Sequence, residues 1–231
     1  MRTIGLIGGM SWESSLEYYR VINRTVRERL GGLHSAKCVM VSVDFAEVEP
    51  LQREAAWDEL AEQMIAAARA AERAGAELLL ICSNTMHKVF DQVQTGVEIP
   101  LIHIADATAE RLKAENIGRV GLLGTRYTME EDFYKGRLSS RHGLVVLVPD
   151  AGEREEVHRI IFDELCVGVV GEESRARLAA AAERLSQAGA EGIVLGCTEL
   201  GLALTEKDTS VSLFDTTTIH GVAAVEAALA S

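Results

Sequence analysis

The chain has 231 residues, 48% of them hydrophobic and 25% charged, a balance that suits one large or two small globular domains. A formal net charge of −12, with 35 acidic against 23 basic residues and no Lys/Arg cluster, argues against nucleic-acid backbones and anionic membranes as partners. Four cysteines without a C-x-x-C pairing argue against a disulfide framework or a zinc site and for a reducing cytoplasm.

The opening "MRTIGLIGGMSW" passes at once into a strand and a glycine turn, so no signal peptide is expected. "SSLEYYRVINRTVRERLGG" then reads as a helix with Leu16, Tyr19, Ile22, Val26 and Leu30 on its apolar face. Ser14 and Glu17 form its capping box, and Gly31 stops it. "KCVMVSVDF" reads as a strand, and "WDELAEQMIAAARAAERAG" as a helix burying Trp57, Leu60, Met64, Ala68 and Ala71. "ELLLIC" and "IPLIHI" are strands, then "RVGLLG", after which "TMEEDFYKGRL" opens with Thr128 and Glu131 in capping-box spacing. "LVVLVP", the helix "SRARLAAAAERLSQAG", "EGIVLG" and "VSLFD" complete the series. Several strands are Val/Ile/Leu-rich without polar alternation, as expected when helices cover both sheet faces. The rhythm implies an α/β fold with parallel sheets and right-handed crossovers.

The chain also repeats itself. "AGAELLLICSNT" matches "AGAEGIVLGCTE" 114 positions later without a gap, and "IGLIGG" matches "VGLLGT" 116 positions later. Two segments in the same order at nearly one offset imply two duplicated, pseudo-symmetric halves. The expected division is 1–110 plus 211–231 for the first α/β domain and 111–210 for the second, with the active site in the cleft between them.

Ligands of parallel α/β sheets bind beyond the carboxyl ends of the strands, marked here by "GGMSW", "CSNTMH", "GTRYTM" and "GCTEL". The repeat lays Ser83 over Cys197. A thiol between a strand end and a helix start should feel the helix dipole, which lowers its pKa from about 8.5 and suits it to carry a proton. Cys82 matches Gly196 instead and leaves the strand by the opposite face, so it reads as core, as do Cys38 and Cys166. "GLIGGM" does not fit a dinucleotide fingerprint, so Gly8-Gly9 is read as a tight turn. His87, one helical turn beyond Ser83, could hydrogen-bond near the site, as could His220; His103 reads as a core histidine. No metal-ligand spacing is present, and Arg53 is the nearest cation to offer a substrate carboxylate.

On "IGLIGGMSWESS", "SVDF", "NTMHK", "HIADAT", "LLGTRYTM", "FDELC", "GCTELG" and "LFDTTTIH" the chain resembles, end to end, the pyridoxal-phosphate-independent aspartate/glutamate racemase family. The resemblance implies two α/β domains, the C-terminal segment returning to complete the first, no cofactor, a cytoplasmic homodimer, and a small acidic amino acid as substrate. It further implies two cysteines on opposite faces of the α-carbon, one taking the proton as thiolate and the other returning it. Cys197 fits the second family motif, while Ser83 stands where the first cysteine belongs. Cys197 is therefore expected to act on the L-enantiomer, with Ser83 serving the opposite face. Met10, Gln52, Asn84, Thr85, Thr125, Thr198 and Glu199 are the implied substrate ligands, Asn84, Thr85 and Thr198 taking the α-carboxylate. His87 is a second layer of support. Alternatives are a single-cysteine decarboxylase or hydantoin racemase of the same superfamily, or a non-catalytic binder of acidic amino acids.

Overall fold

The structure is a computed structural model and describes residues 1–230. The chain divides into two units, Met1–His103 with the segment from His220 onward, and Ile104–Ile219.

The first unit carries a three-stranded parallel sheet ordered β2-β1-β3, made of β1 (Ile4–Gly8), β2 (Cys38–Ser42) and β3 (Leu78–Ile81). Its helices are α1 (Trp12–Leu30), α2 (Phe45–Arg53), α3 (Trp57–Arg73) and α4 (Phe90–Thr95), with a 3-10 turn over Thr85–Val89. The period-2 alternation of the strands sorts the core. Ile4, Leu6, Leu78, Leu80 and Cys82 join Tyr18, Ile22 and Val26 of α1 on one face. Ile7, Leu79 and Ile81 join Leu60, Met64 and Ala68 of α3 on the other. Each fully buried Leu, Ile, Val or Met among these contributes about 1.5–3 kcal/mol, so both sheet faces are energetically committed.

The second unit has a four-stranded parallel sheet ordered β5-β4-β6-β7. Its elements in chain order are α5 (Ile104–Ala114), β4 (Arg119–Gly124), α6 (Arg126–Glu130), β5 (Val145–Leu147), α7 (Ala151–Asp163), α8 (Glu172–Gln187), β6 (Gly192–Gly196), α9 (Leu200–Ala203) and β7 (Leu213–Asp215). The last helix, α10 (Thr216–Leu229), belongs to the first unit from His220 on. The sheets correspond in order and in register: Ile4 pairs with Leu78, and Val120 pairs with Gly192. These pairs reproduce the two offsets seen in the sequence.

Several expectations are corrected. β7 extends the second sheet and α5 packs in the second core, so the second unit runs from Ile104 to Ile219 rather than from 111 to 210. "IPLIHI" forms only an isolated bridge, Leu79 to Leu101, because Pro100 has no N–H to donate and α5 begins at Ile104. Helix α1 is capped by Ser11, whose side chain accepts the Ser14 N–H, not by Ser14 itself. Likewise Thr125, not Thr128, caps α6 by accepting the Thr128 N–H. The buried stripe of α1 is Tyr18, Val21, Ile22, Thr25 and Val26, leaving Leu16, Tyr19 and Leu30 exposed with Trp12. In α3 the expected face is found except that Trp57 is only half-buried.

The turn after β1 depends on Gly9, which sits at φ +95 where a Cβ would lie 2.0 Å from the Val43 carbonyl oxygen. Gly75 has φ +97 but open space around it. Gly75→Ala should cost roughly 1–2 kcal/mol for the left-handed backbone alone. Gly9→Ala should cost clearly more in the same urea titration, because the Val43 backbone must also move; equal costs would refute the close-approach argument.

Candidate active site

At the tip of the first sheet, backbone groups freed at the strand ends are taken up by small hydroxyls. Ser15 Oγ accepts the Gly9 N–H at 2.8 Å and donates to the Ser11 carbonyl at 2.9 Å. Met10 is buried in the α3-side core. Gln52, near the end of α2, is buried and donates from Nε2 to Met86 Sδ at 3.2 Å. Beyond β3 the alternation that sends Cys82 into the α1-side core turns Ser83 the other way, and Ser83 is 6% exposed. Its Oγ accepts the Met86 N–H at 3.3 Å. Asn84 and Thr85 follow it, both buried.

His87 engages Ser83 through the backbone: its Nδ1 donates to the Ser83 carbonyl at 2.7 Å, because a carbonyl can only accept. Among the described residues no side-chain base reaches the Ser83 hydroxyl. His87 stacks on Phe90, with ring centroids 5.8 Å apart, and meets His103 at 4.7 Å and His220 at 5.6 Å. His220 donates from Nε2 to the Ile102 carbonyl at 2.9 Å, so its Nδ1 accepts from Tyr18 Oη at 2.9 Å. His103 is buried among these rings, as the sequence implied. Arg53 is exposed, whereas Lys88, which the sequence reading passed over, is half-buried with Nζ 3.9 Å from the centroid of Trp57. A Lys five residues beyond the Ser83 tip was the available signal.

At the tip of the second sheet, β4 and β6 approach so closely that a Cβ on Gly124 would lie 2.7 Å from the Gly196 carbonyl. Thr125 follows Gly124, is buried, and shares a hydrogen bond with Thr128 Oγ1 at 3.1 Å while capping α6. Cys197 follows Gly196 and is 6% exposed. Its Sγ donates to Glu199 Oε2 at 3.0 Å, and Thr198 Oγ1 donates to the same oxygen at 2.7 Å. The Leu200 N–H closes the turn onto the Cys197 carbonyl at 3.2 Å.

This environment reverses the expected direction of the thiol pKa. Burial raises it most, and the Glu199 charge, the Cys166 thiol and the hydrogen bond to Glu199 raise it further; only the Glu199 backbone N–H opposes them. Helix α9, with four residues, supplies too small a dipole to compete. Cys197 therefore rests as a thiol. The structure thus clusters Ser83, Asn84, Thr85 and His87 in one unit, and Thr198, Glu199 and Cys197 in the other. The direct Cys197–Glu199 contact is what the sequence reading missed, although the two-residue spacing across a turn was its signal.

Comparison with known proteins places these features. A family model described as Asp/Glu/Hydantoin racemase matches residues 7–224. A Yersinia pestis protein described provisionally as an Asp/Glu racemase is 50% identical, with a TM-score of 0.91 over 99% of this chain and 100% of its own. An aspartate racemase homologue from Pyrococcus horikoshii is 40% identical, with a TM-score of 0.85 over 99% and 100%. The aspartate racemase of Picrophilus torridus shares the fold at 18% identity, with a TM-score of 0.77 over 99% and 94%.

The buried histidines give the first unit a pH signature. Burial, aided by the neighbouring His87, lowers the His220 pKa from 6.5 to about 3 despite the hydrogen bond to Ile102. The unfolded chain then binds a proton that the folded chain refuses between these values, so stability falls as pH drops through that window. His220→Gln should make the acid side of the stability curve shallower by up to about 1.4 kcal/mol per pH unit. Urea titrations from pH 7 down to 4 measure this, and an unchanged slope would mean that His220 does not carry the effect.

Proposed function

The chain belongs to the Asp/Glu/hydantoin racemase family, and we propose that it is a cofactor-independent racemase of L-aspartate, L-glutamate or both, with Cys197 acting on the L-enantiomer. The protein is an isomerase of that family. The observation that carries the finer reading is the placement of Cys197 and Ser83. Each lies five residues past a strand residue paired to the corresponding position of the central strand, Gly192 to Val120 in one unit and Leu78 to Ile4 in the other. Both are buried at strand tips among short hydroxyl and amide side chains suited to hold a carboxylate.

In this reading the Cys197 thiolate removes the α-proton of the L-substrate, the Cα–H bond breaks, and its electron pair is delocalised into the α-carboxylate. A proton delivered to the opposite face, on the Ser83 side, gives the D-product. Asn84, Thr85 and the backbone N–H of Thr198, whose hydroxyl is committed to Glu199, hold the α-carboxylate, with Met10, Gln52 and Thr125 around the rest of the substrate. Ser83 is a poor base, since its hydroxyl accepts a backbone N–H and has no side-chain base beside it among the described residues. Because enantiomers have equal free energy, kcat/KM for net conversion is the same in both directions. The asymmetry must therefore show in proton exchange: Cys197 can exchange the L-substrate's α-proton without inversion, whereas the D-substrate depends on Ser83. The homodimer implied by family resemblance belongs to this reading, and sedimentation equilibrium tests it.

Incubation of separate L- and D-aspartate and glutamate samples in deuterium oxide, followed by NMR, tests the chemistry. Exchange should be fast from at least one L-form and slow from its D-form, and Cys197→Ala should abolish it. Ser83→Cys should speed exchange from the D-form by about 10²-fold, the usual contribution of a positioned acid–base group. No exchange from any of the four substrates would overturn the reading and leave a decarboxylase or a binder.

A further inference from the structure

We propose that Cys197 and Glu199 operate as one proton-holding pair, the Glu199 carboxylate taking the thiol proton to release the thiolate and giving that proton up to solvent on product release, after the substrate's α-proton has restored the thiol. This rests on the α-proton-transfer reading above and assigns Glu199 a role other than that of substrate ligand. A carboxylate is a poor partner for a dicarboxylate substrate, because like charges repel in a buried site. It is a good partner for a thiol, and here Sγ lies 3.0 Å from Oε2. The Thr198 hydroxyl fixes the same oxygen at 2.7 Å, so the acceptor is aimed by a second hydrogen bond. Glu199 is only 2% exposed, which keeps bulk water from serving as the acceptor.

The step balances within the pair. The S–H bond breaks, an O–H bond forms on Glu199, and the pair keeps a single negative charge, moved from carboxylate to sulfur. The thiolate then takes the α-hydrogen as a proton, forming S–H again as the Cα–H electrons pass to the substrate. Glu199 is now the neutral acid, so the developing carbanion does not face a second carboxylate. When the proton comes off the product side in the reverse sense, the resting thiol is already the acid required. Glu199 is thus a positioning residue for Cys197, whose own protonation it controls.

The test reads Cys197 and the substrate separately. Alkylation of Cys197 by iodoacetamide across pH, located by peptide mass spectrometry, reports its ionisation; α-proton exchange from L-aspartate and L-glutamate reports turnover. In Glu199→Gln the alkylation midpoint should fall, since the charge opposing the thiolate is gone, while exchange should drop by about 10²-fold for want of a proton acceptor. Glu199→Asp should recover part of the exchange. A role confined to packing would leave the alkylation midpoint in place, or would lower exchange as far in Glu199→Asp as in Glu199→Gln, and either result overturns the proposal. Cys166 is the other thiol that acts on Cys197, so Cys166→Ser should leave the Glu199→Gln shift in place; loss of the shift in that background overturns the pairing. Should the wild-type chain exchange none of these substrates, the racemase reading fails while the alkylation midpoint still decides the pair: a fall in Glu199→Gln supports it, and an unmoved midpoint overturns it.

Discussion

The parallel pairing of β4 with β6 runs to the final residue of each strand, Gly124 against Gly196, and this contact governs everything placed beyond it. With hydrogens alone at both positions the backbones close to a separation that no Cβ would allow. Thr125 and Cys197 are consequently the first side chains past a tight, water-excluding seam. The first unit reaches the same layout by another route: the Gly9 N–H is bound by Ser15, and Ser83 emerges on the face opposite Cys82. In each case the sheet sets the position of the side chain, Cys197 or Ser83, and the following turn sets its hydrogen bonds.

Much of this was legible in the amino-acid order because strand alternation is a strict rule. Once "ELLLICSNT" is a buried parallel strand, Cys82 and Ser83 must point to opposite faces, and the core contacts of Cys82 agree. The duplication was legible for a similar reason, since its offsets are those of the observed strand registers. Helix α1 was not. It carries two apolar stripes, one with Leu16, Tyr19 and Leu30 and one with Tyr18, Val21, Ile22 and Val26. Periodicity cannot choose between them. The choice is made by Ser14 and Ser15, which bind backbone at the sheet tip and so turn their own side of the helix inward.

The thiol's protonation state shows where a local rule loses to its surroundings. A helix start after a strand suggests a stabilised thiolate, and that argument presumes a helix long enough to carry a dipole and solvent near enough to share the charge. Helix α9 offers one turn, the sulfur is buried, and the nearest polar group is a carboxylate. Desolvation and charge act in the same direction, against one backbone N–H. None of these three features belongs to Cys197 itself, which is why the residue and its spacing could identify the atom but not its resting form.

The duplication bears on why one tip holds a serine. Along the same offset that matches Ser83 to Cys197, Thr85 matches Glu199. The two halves therefore differ together at the proton carrier and at its partner: a thiol with a carboxylate in one, a hydroxyl with a hydroxyl in the other. Were the thiol an autonomous base, exchanging its partner would be incidental. In a pair that shares one proton, a carboxylate beside Ser83 would have nothing to accept, because an aliphatic hydroxyl does not ionise in this range, and its charge would only repel an acidic substrate. The difference between the two tips leaves the proposed reaction with a single thiol base, partnered by Glu199, and a kinetic preference for the face that Cys197 serves.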